Sequence, residues 1–153
     1  YIGYINSKMR KRQFLITLLI GLAIFMVSCS KEDKSLEDAL LKKKESDIVR
    51  LDSLTDFQWN SVYFVKPYTE KSEIEKYIGI SSDEIYDNIS DEGTLYMIFT
   101  LDDKVVYQIY GNPNNLGFDF DVGEYDKIKN ISKEKSVFNV KRDGKIIIYK
   151  MKL

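Results

Sequence analysis

The segment Thr94–Tyr110, TLYMIFTLDDKVVYQIY, decides the fold that the sequence predicts. Its first half, Thr94–Leu101, is an uninterrupted run of apolar and β-branched residues with the length of a buried strand. The second half, Lys104–Tyr110, has a similar composition, and only Asp102 and Asp103 separate the two runs. Two-residue connections join neighbouring antiparallel strands, so the segment predicts a β-hairpin.

Further strands are predicted on both sides of this hairpin. Upstream, Trp59–Pro67 (WNSVYFVKP) is rich in β-branched and aromatic residues, and its apolar residues fall on both faces of a strand. Downstream, Phe118–Val122 predicts a short edge strand. Ser136–Arg142 and Lys145–Met151 predict a closing hairpin across an Asp-Gly pair, which is typical of a type I′ turn.

Helices are predicted where apolar residues recur three or four positions apart. One helix begins at Thr69 or Ser72 and ends at Gly79, a residue that suits the left-handed position after a helix. The same spacing predicts a short helix at Ser46–Leu54 and a possible one at Ser81–Ser90, and the charged segment Tyr125–Lys135 contains a helix-like pair, Ile128 and Ile131. The order of elements predicts an α+β fold, in which a mainly antiparallel sheet of four to six strands carries two or three short helices on one face.

The N-terminal part of the chain has the pattern of an export signal. Residues 10–12 form a basic head, Phe14–Val27 is an uncharged apolar run, and small residues lead to Cys29, the single cysteine. At about 1.5 Å per residue the run forms a helix of about 21 Å, which is short for a hydrocarbon core about 30 Å thick. The pattern is typical of a secretory signal, so residues 1–28 are predicted to be a signal peptide.

The residues around the cysteine make this prediction more specific. Met26-Val27-Ser28-Cys29 resembles the bacterial lipobox, although Met26 stands where Leu is usual. In that family a diacylglycerol is attached to the cysteine sulfur and the signal is cut just before it. The resemblance implies cleavage between Ser28 and Cys29, lipid attachment at Cys29, and an extracytoplasmic location in the bacterial envelope, at the outer membrane or cell surface in a Gram-negative cell. An N-terminal membrane helix with an incidental cysteine is the alternative.

These boundaries divide the chain into three parts. Residues 1–28 are the predicted signal peptide, of which residues 1–8 precede the predicted start at Met9, and all 28 are excluded from the fold. Residues 29–45 are charged and lack Gly and Pro from Ser30 onward, so they are predicted to be a lipidated tether. Residues 46–153 are predicted to form a single α+β domain with one modest core.

Charge and composition exclude several kinds of function. Four of the 23 basic residues lie before Cys29, so residues 29–153 carry 24 acidic side chains and a net charge of −5. This balance argues against nucleic-acid binding, which needs a clustered basic face. The absence of His and the single Cys exclude Ser-His-Asp and Cys-His catalysis and zinc ligation by these residues. Any enzymatic activity would have to use carboxylates, Lys, Tyr, Ser or Thr. The leading prediction assigns no catalytic residue, no metal and no cofactor.

Residues 59–80, WNSVYFVKPYTEKSEIEKYIGI, resemble the opening of a group of small bacterial lipoproteins and exported proteins of unknown function. Members of this group carry a Trp-Asp/Asn-x-x-Tyr strand, a Pro-Tyr-Thr turn and a short acidic helix that ends in Gly. Gly117–Phe120 and Phe138–Tyr149 also fit, and Asn60 stands where Asp is commoner. The group has no established activity, so the resemblance implies an architecture and no mechanism.

Two sets of side chains are candidate binding residues. Asp119 and Asp121 flank Phe120 on one strand face and Glu124 follows, a set that could bind Ca²⁺, act as an acid/base pair or simply be solvated. Aromatic residues on or near the predicted strands could form an exposed sheet face that binds a protein or a glycan, or could pack under the helices. They are Trp59, Tyr63, Tyr68, Tyr96, Tyr107, Tyr110 and Tyr149.

Two main classes of function remain open from the sequence. The leading prediction is a lipid-anchored, non-catalytic interaction module that binds another envelope or secreted protein, with immunity and inhibitor proteins as one case. The alternative is a carbohydrate-binding or weakly hydrolytic domain that uses Asp119, Asp121 and Glu124. Convergence of these carboxylates with tyrosines in one pocket would favour the alternative, whereas an uncovered aromatic sheet face would favour the interaction module. The sequence leaves the oligomeric state open.

Overall fold

The structure is a computed structural model that describes residues 36–87 and 89–152. The predicted cleavage and lipid-attachment residues, Ser28 and Cys29, lie outside the described residues. The described residues form three short α-helices and two four-stranded sheets. No helix in this part of the chain has the length and apolar composition required to cross a membrane.

The strands follow one another along the chain with short helices between them. The strands are β1 (Ile48–Arg50), β2 (Ser61–Val65), β3 (Leu95–Leu101), β4 (Lys104–Gly111), β5 (Phe118–Asp121), β6 (Ile128–Ser132), β7 (Val137–Asp143) and β8 (Ile146–Met151). The α-helices are α1 (Leu36–Leu41), α2 (Lys71–Ile78) and α3 (Pro113–Leu116), and Leu51–Ser53 and Lys133–Lys135 form single 3₁₀ turns.

The eight strands form two separate sheets. Sheet A has the order β1-β7-β8-β5, and sheet B has the order β4-β3-β2-β6. All neighbouring strands are antiparallel except β5 and β8, which run parallel. The predicted α+β class with mainly antiparallel pairing is confirmed, but the strands divide between two sheets where the sequence predicted one.

Strands β2 and β3 are buried on both faces because their apolar residues occupy both parities. Val62 and Phe64 of β2 join the main core between the two sheets. Tyr63 and Val65 point the opposite way and form a second core, to which α2 contributes Ile74. The described residues therefore form three layers: sheet A, sheet B, and an outer layer made of α2 with residues 80–87, 89 and 90.

Helix α1 belongs to the main core, whereas the sequence assigned residues 29–45 to a tether. Leu36 and Leu40 are buried there, and the Tyr149 hydroxyl donates a hydrogen bond to the Leu40 carbonyl oxygen at 2.7 Å. Further along, the Ser46 N–H donates to the Val140 carbonyl oxygen at 2.9 Å. The folded domain therefore begins earlier than the predicted boundary at residue 46.

Three segments with helical spacing are not α-helices. The segment predicted as helix Ser46–Leu54 contains β1, which pairs with β7, followed by a 3₁₀ turn. Tyr125–Lys135 contains β6, which pairs with β2. Residues 81–87, 89 and 90 form no helix, although Ile85 and Ile89 are buried as their spacing suggested. Apolar residues three or four apart thus marked buried positions correctly, but tertiary pairing overrode the local helical pattern.

Helix α2 ends as predicted and begins at a different residue. Its N-cap is Glu70 and not Thr69 or Ser72, and the Glu73 carboxylate accepts a hydrogen bond from the Glu70 N–H at 3.3 Å. This contact is one half of a capping box. The helix ends at Gly79, which has a left-handed φ of +74°.

The position of the first hairpin turn was predicted correctly, whereas the second turn lies one residue further along the chain than predicted. The predicted pair Asp102 and Asp103 joins β3 to β4, and Asp102 has a φ of +53°. The closing hairpin turns at Gly144 and Lys145, one residue later than predicted, because Asp143 still pairs within the ladder. Only Gly144 of these two has a positive φ, +58°, whereas a type I′ turn needs two such residues.

Candidate functional site

Trp59 is a core residue and not an exposed binding residue. Its side chain is 2% exposed and meets the Phe99 ring edge-to-face at 5.2 Å between ring centroids. Its Nε1–H donates a hydrogen bond to Thr55 Oγ1 at 3.0 Å, which satisfies the one polar group of the indole. The sequence placed Trp59 among the candidate binding residues, and its burial contradicts that assignment.

Most tyrosines of the strands also pack inside the domain. Tyr63, Tyr96 and Tyr149 are buried, so these three residues do not form an exposed aromatic sheet face. The Tyr96 hydroxyl accepts a hydrogen bond from the Tyr86 N–H at 3.1 Å and donates one to Gln108 Oε1 at 2.6 Å. Burial raises the pKa of Tyr96 to about 12, so the hydroxyl remains a donor at physiological pH.

Four other tyrosines are exposed on or beside the outer layer. They are Tyr68, Tyr77, Tyr86 and Tyr110, with exposures of 62%, 55%, 48% and 38%. The rings of Tyr86 and Tyr110 lie 4.8 Å apart, and both also contact buried Tyr96. The Tyr77 ring meets Tyr63 at 6.2 Å. We call these four residues the tyrosine surface.

Sequence reasoning found only part of the tyrosine surface. Tyr68 and Tyr110 were among the predicted aromatic residues, whereas Tyr77 and Tyr86 were missed because they do not lie on strands. Helical spacing could have found Tyr77, which follows Ile74 by three positions and is therefore near the buried stripe of α2. The strand pairings place no aromatic side chain on the outer face of sheet A in the described residues.

The carboxylates of β5 share one strand face, as predicted, but have different surroundings. Phe118 and Phe120 are buried, so Asp119 and Asp121 face the other way. Burial raises the pKa of Asp119, whose Oδ1 accepts a hydrogen bond from the Phe120 N–H at 2.8 Å. The pKa of Asp121 is lowered by the Gly123 N–H, which donates at 3.1 Å, and by a nearby lysine.

The three candidate carboxylates do not converge on one pocket. Asp121 and Glu124 line a cavity of about 380 Å³ together with Lys129 and Lys150, and Lys150 Nζ lies 3.2 Å from Asp121 Oδ2. Asp119 lines a separate, smaller cavity of about 130 Å³. No group of three metal-ligating side chains occurs within residues 36–87 and 89–152. The pocket that would have favoured a carbohydrate-binding or hydrolytic site is therefore not formed by these three residues.

A third cavity, of about 490 Å³, lies between α2 and the start of β6. It is lined by Glu73, Lys76, Tyr77, Asp126, Lys127 and Ile128. Lys127 Nζ lies 2.6 Å from Glu73 Oε1, and this contact lowers the pKa of Glu73 and raises that of Lys127. We call this cavity the α2–β6 cleft. Sequence reasoning missed it because residues 125–135 were interpreted as helical.

The site consists of a tyrosine surface, the α2–β6 cleft and two smaller cavities with separated carboxylates. Its chemistry is that of aromatic and amphipathic contact more than of proton transfer. Comparison of the chain with protein-family models, with curated proteins and with solved structures finds no match.

Proposed function

We propose that the chain is a lipid-anchored protein of the bacterial envelope whose folded domain binds a protein partner through the tyrosine surface. The observation that carries the proposal is the set of four exposed tyrosines on or beside the outer layer. Tyr86 and Tyr110 contact each other and buried Tyr96, and Tyr77 contacts buried Tyr63. Tyrosine offers a large amphipathic contact area at low entropic cost, and it is enriched among the residues that dominate protein interfaces.

The local packing supports a surface that is ordered before binding. The Tyr86 and Tyr110 rings rest on buried Tyr96, whose hydroxyl is fixed by two hydrogen bonds. Side chains that are already held lose less conformational freedom when a partner binds. This arrangement suits recognition of one shape better than loose, adaptable contact.

The separation of the carboxylates gives the alternative less support. A glycoside hydrolase usually needs two carboxyl groups on either side of one bond. Here Asp119 lies in a different cavity from Asp121 and Glu124, and Asp121 is engaged by Lys150. A binding role that requires no proton transfer therefore fits these residues better than hydrolysis.

The anchor part of the proposal rests on sequence. A basic head, a short apolar run and Cys29 follow one another in the order of a lipoprotein signal. Several acyl chains, each contributing about 0.8 kcal/mol per buried CH₂, would hold the protein stably at a membrane. The partner is then another protein of the envelope or a secreted protein that reaches it.

A crosslinking pull-down of the acylated protein from its native envelope tests the proposal. The test variant is the double substitution Tyr86→Ala and Tyr110→Ala, and the control is Ile48→Ala, which removes an exposed side chain from sheet A. We expect one dominant protein partner with the wild type and the control, and its loss with the double variant. Thermal unfolding confirms that all three are folded.

Two results would count against the proposal. Retention of glycan or peptidoglycan without any protein partner would move the assignment to carbohydrate binding. Equal capture of the partner by the folded double variant would show that the tyrosine surface is not the binding surface.

A further inference from the structure

Four strands form the edges of the two sheets in the described residues: β1 and β5 in sheet A, and β4 and β6 in sheet B. The unpaired backbone groups of an edge strand can pair with a strand from another molecule. Native proteins therefore protect their edges by short length, by bulges, by covering elements or by charged side chains.

Three of the four edges carry such protection. Strand β1 has only three residues. Strand β4 contains a register irregularity where it pairs with β3, and its Tyr107 hydroxyl donates a hydrogen bond to Glu37 of α1 at 2.5 Å. On β5, the Asp119 carboxylate accepts from the Phe120 N–H at 2.8 Å and so occupies a backbone donor of that strand.

Strand β6 presents a regular open edge. The Lys66 N–H donates to the Lys127 carbonyl oxygen, and the Lys133 N–H donates to the Asn60 carbonyl oxygen, at 2.9 and 2.8 Å. These bonds place the backbone groups of odd-numbered residues toward β2. The backbone N–H and C=O groups of Ile128, Asn130 and Ser132 therefore point away from β2. No strand of the described residues pairs with them on that side.

The lysines that could guard this edge are held elsewhere. Lys127 Nζ lies 2.6 Å from the Glu73 carboxylate on α2. Lys129 Nζ donates to the Val122 carbonyl oxygen. Lysines on an edge normally hinder pairing by projecting their charge across it, and here both charges are directed back onto their own domain.

We propose that an extended segment of the partner protein pairs with the open edge of β6 and places alternate side chains in the α2–β6 cleft. This inference rests on the proposed function and names its mode of recognition, which is strand addition. Backbone hydrogen bonds at Ile128, Asn130 and Ser132 supply the pairing. Tyr77 and Ile128 supply an apolar contact for one side chain of the added strand.

The charges of the cleft define the chemistry of the added segment. Glu73 and Lys127 already neutralise one another, and the remaining lining residues Lys76 and Asp126 carry opposite signs. The cleft therefore has no net charge to attract a strongly acidic or basic peptide. The fitting segment is extended and largely uncharged, with apolar or aromatic residues at alternate positions.

Selection from a phage-displayed library of random dodecapeptides on the full chain tests this inference. The substitution Asn130→Pro removes an outward N–H, a change that an edge strand tolerates, and Asn130→Ala keeps that N–H. We expect the wild type to select peptides with alternating apolar residues. Asn130→Pro should bind them about tenfold or more weakly, as loss of about 1.4 kcal/mol implies, and Asn130→Ala should bind them nearly as well as the wild type.

Two further measurements test the same inference independently of the Asn130 variants. Hydrogen exchange should show peptide-dependent protection of the Ile128, Asn130 and Ser132 amides in the wild type. Tyr77→Ala, which changes the cleft and leaves the strand backbone intact, should also weaken binding. Thermal unfolding establishes that each variant is folded before its affinity is compared.

Several outcomes would overturn the inference. Equal peptide binding by folded Asn130→Pro and Asn130→Ala would do so. A second such outcome is that the wild-type chain selects no peptide although it still crosslinks to its envelope partner. In both cases the proposed function would stand, whereas loss of the envelope crosslink in the wild type would remove the proposed function itself. A wild type that self-associates and an Asn130→Pro variant that is monomeric would assign the edge to a second copy of the chain.

Discussion

At the scale of single residues, Asp119 combines partial burial with a hydrogen bond to its own strand. Its carboxylate accepts from the Phe120 N–H, and burial raises its pKa above the ordinary value, while Asp121 two residues away has a lowered pKa. Opposite shifts of this kind are typical of acid/base pairs. Because the two carboxylates line different cavities, we interpret Asp119 as a structural residue that occupies a backbone donor at a sheet edge.

Asp119→Asn should stabilise the domain at neutral pH. A pKa raised in the folded state means that folding favours the protonated carboxyl, so the free energy of unfolding falls as pH rises from the ordinary value of 3.8 through the raised folded value. Asn carries no charge and its oxygen can still accept from Phe120. Urea unfolding from pH 3 to 8 should show a gain for the variant that disappears at acidic pH, and a loss at neutral pH would contradict this account.

Trp59→Ala should destabilise the domain by about 3–5 kcal/mol, since it removes a fully buried indole from the main core. Tyr68→Ala is the matched control, because that aromatic residue is mostly exposed and should change stability by less than about 0.5 kcal/mol. Urea denaturation measures both changes. A Trp59→Ala effect below about 1 kcal/mol, far under the range for buried aromatic residues, would place the indole outside the core.

At the scale of elements, the strands that could be predicted are those with strong local composition. Residues 59–67, 94–110 and 136–151 all contain strands at or near the predicted positions, because apolar and β-branched runs identify strands locally. Strands β1 and β6 could not be predicted in this way. They are short and partly polar, and each is a strand only because a distant partner pairs with it, as Ile48 does with Asn139.

The difference between local patterns and long-range packing also explains which parts of the candidate site could be predicted from the sequence. The shared face of Asp119 and Asp121 follows from the two-residue period of a strand, so the sequence predicted it correctly. Their separation into two cavities depends on how β5 packs against residues far away in the chain, which no local pattern records. The α2–β6 cleft requires both elements to be placed, and one of them was assigned to the wrong class.

Leu40→Ala tests whether α1 is part of the domain. Leu40 is buried in the main core, so its truncation should cost about 2–5 kcal/mol. Leu41→Ala in the same helix removes a side chain that is 45% exposed and should have a smaller effect. Urea unfolding of both variants separates a docked helix from a tether, because in a tether the two changes would be equally small.

At the scale of the whole molecule, the early start of the folded domain shortens the link to the proposed anchor. Only residues 30–35 lie between Cys29 and the core residue Leu36, where the sequence predicted a tether extending to residue 45. With the proposed acyl anchor at Cys29, only six residues would separate the lipidated cysteine from this core residue. We therefore expect the proposed partner to be accessible at the membrane that holds the acyl chains.

Cys29→Ala tests the anchor itself. We expect the variant to leave the membrane fraction or to accumulate with its signal uncut, because it lacks the sulfur proposed to carry the lipid. Fractionation and palmitate labelling measure the change, and Ser30→Ala beside it serves as the control. Unchanged palmitate labelling in Cys29→Ala would end the lipoprotein assignment.

The pairing of β1 with β7 also governs when the domain can form. Ile48 pairs with Asn139, and β5 pairs with β8. Sheet A therefore remains incomplete until the β7–β8 hairpin has been synthesised. Contacts between residues so distant in sequence form slowly, since a long loop must close before they contribute. Sheet A therefore cannot be complete before residues 137–151 are available, and a domain whose sheet closes this late would suit the proposed export, which requires an unfolded chain.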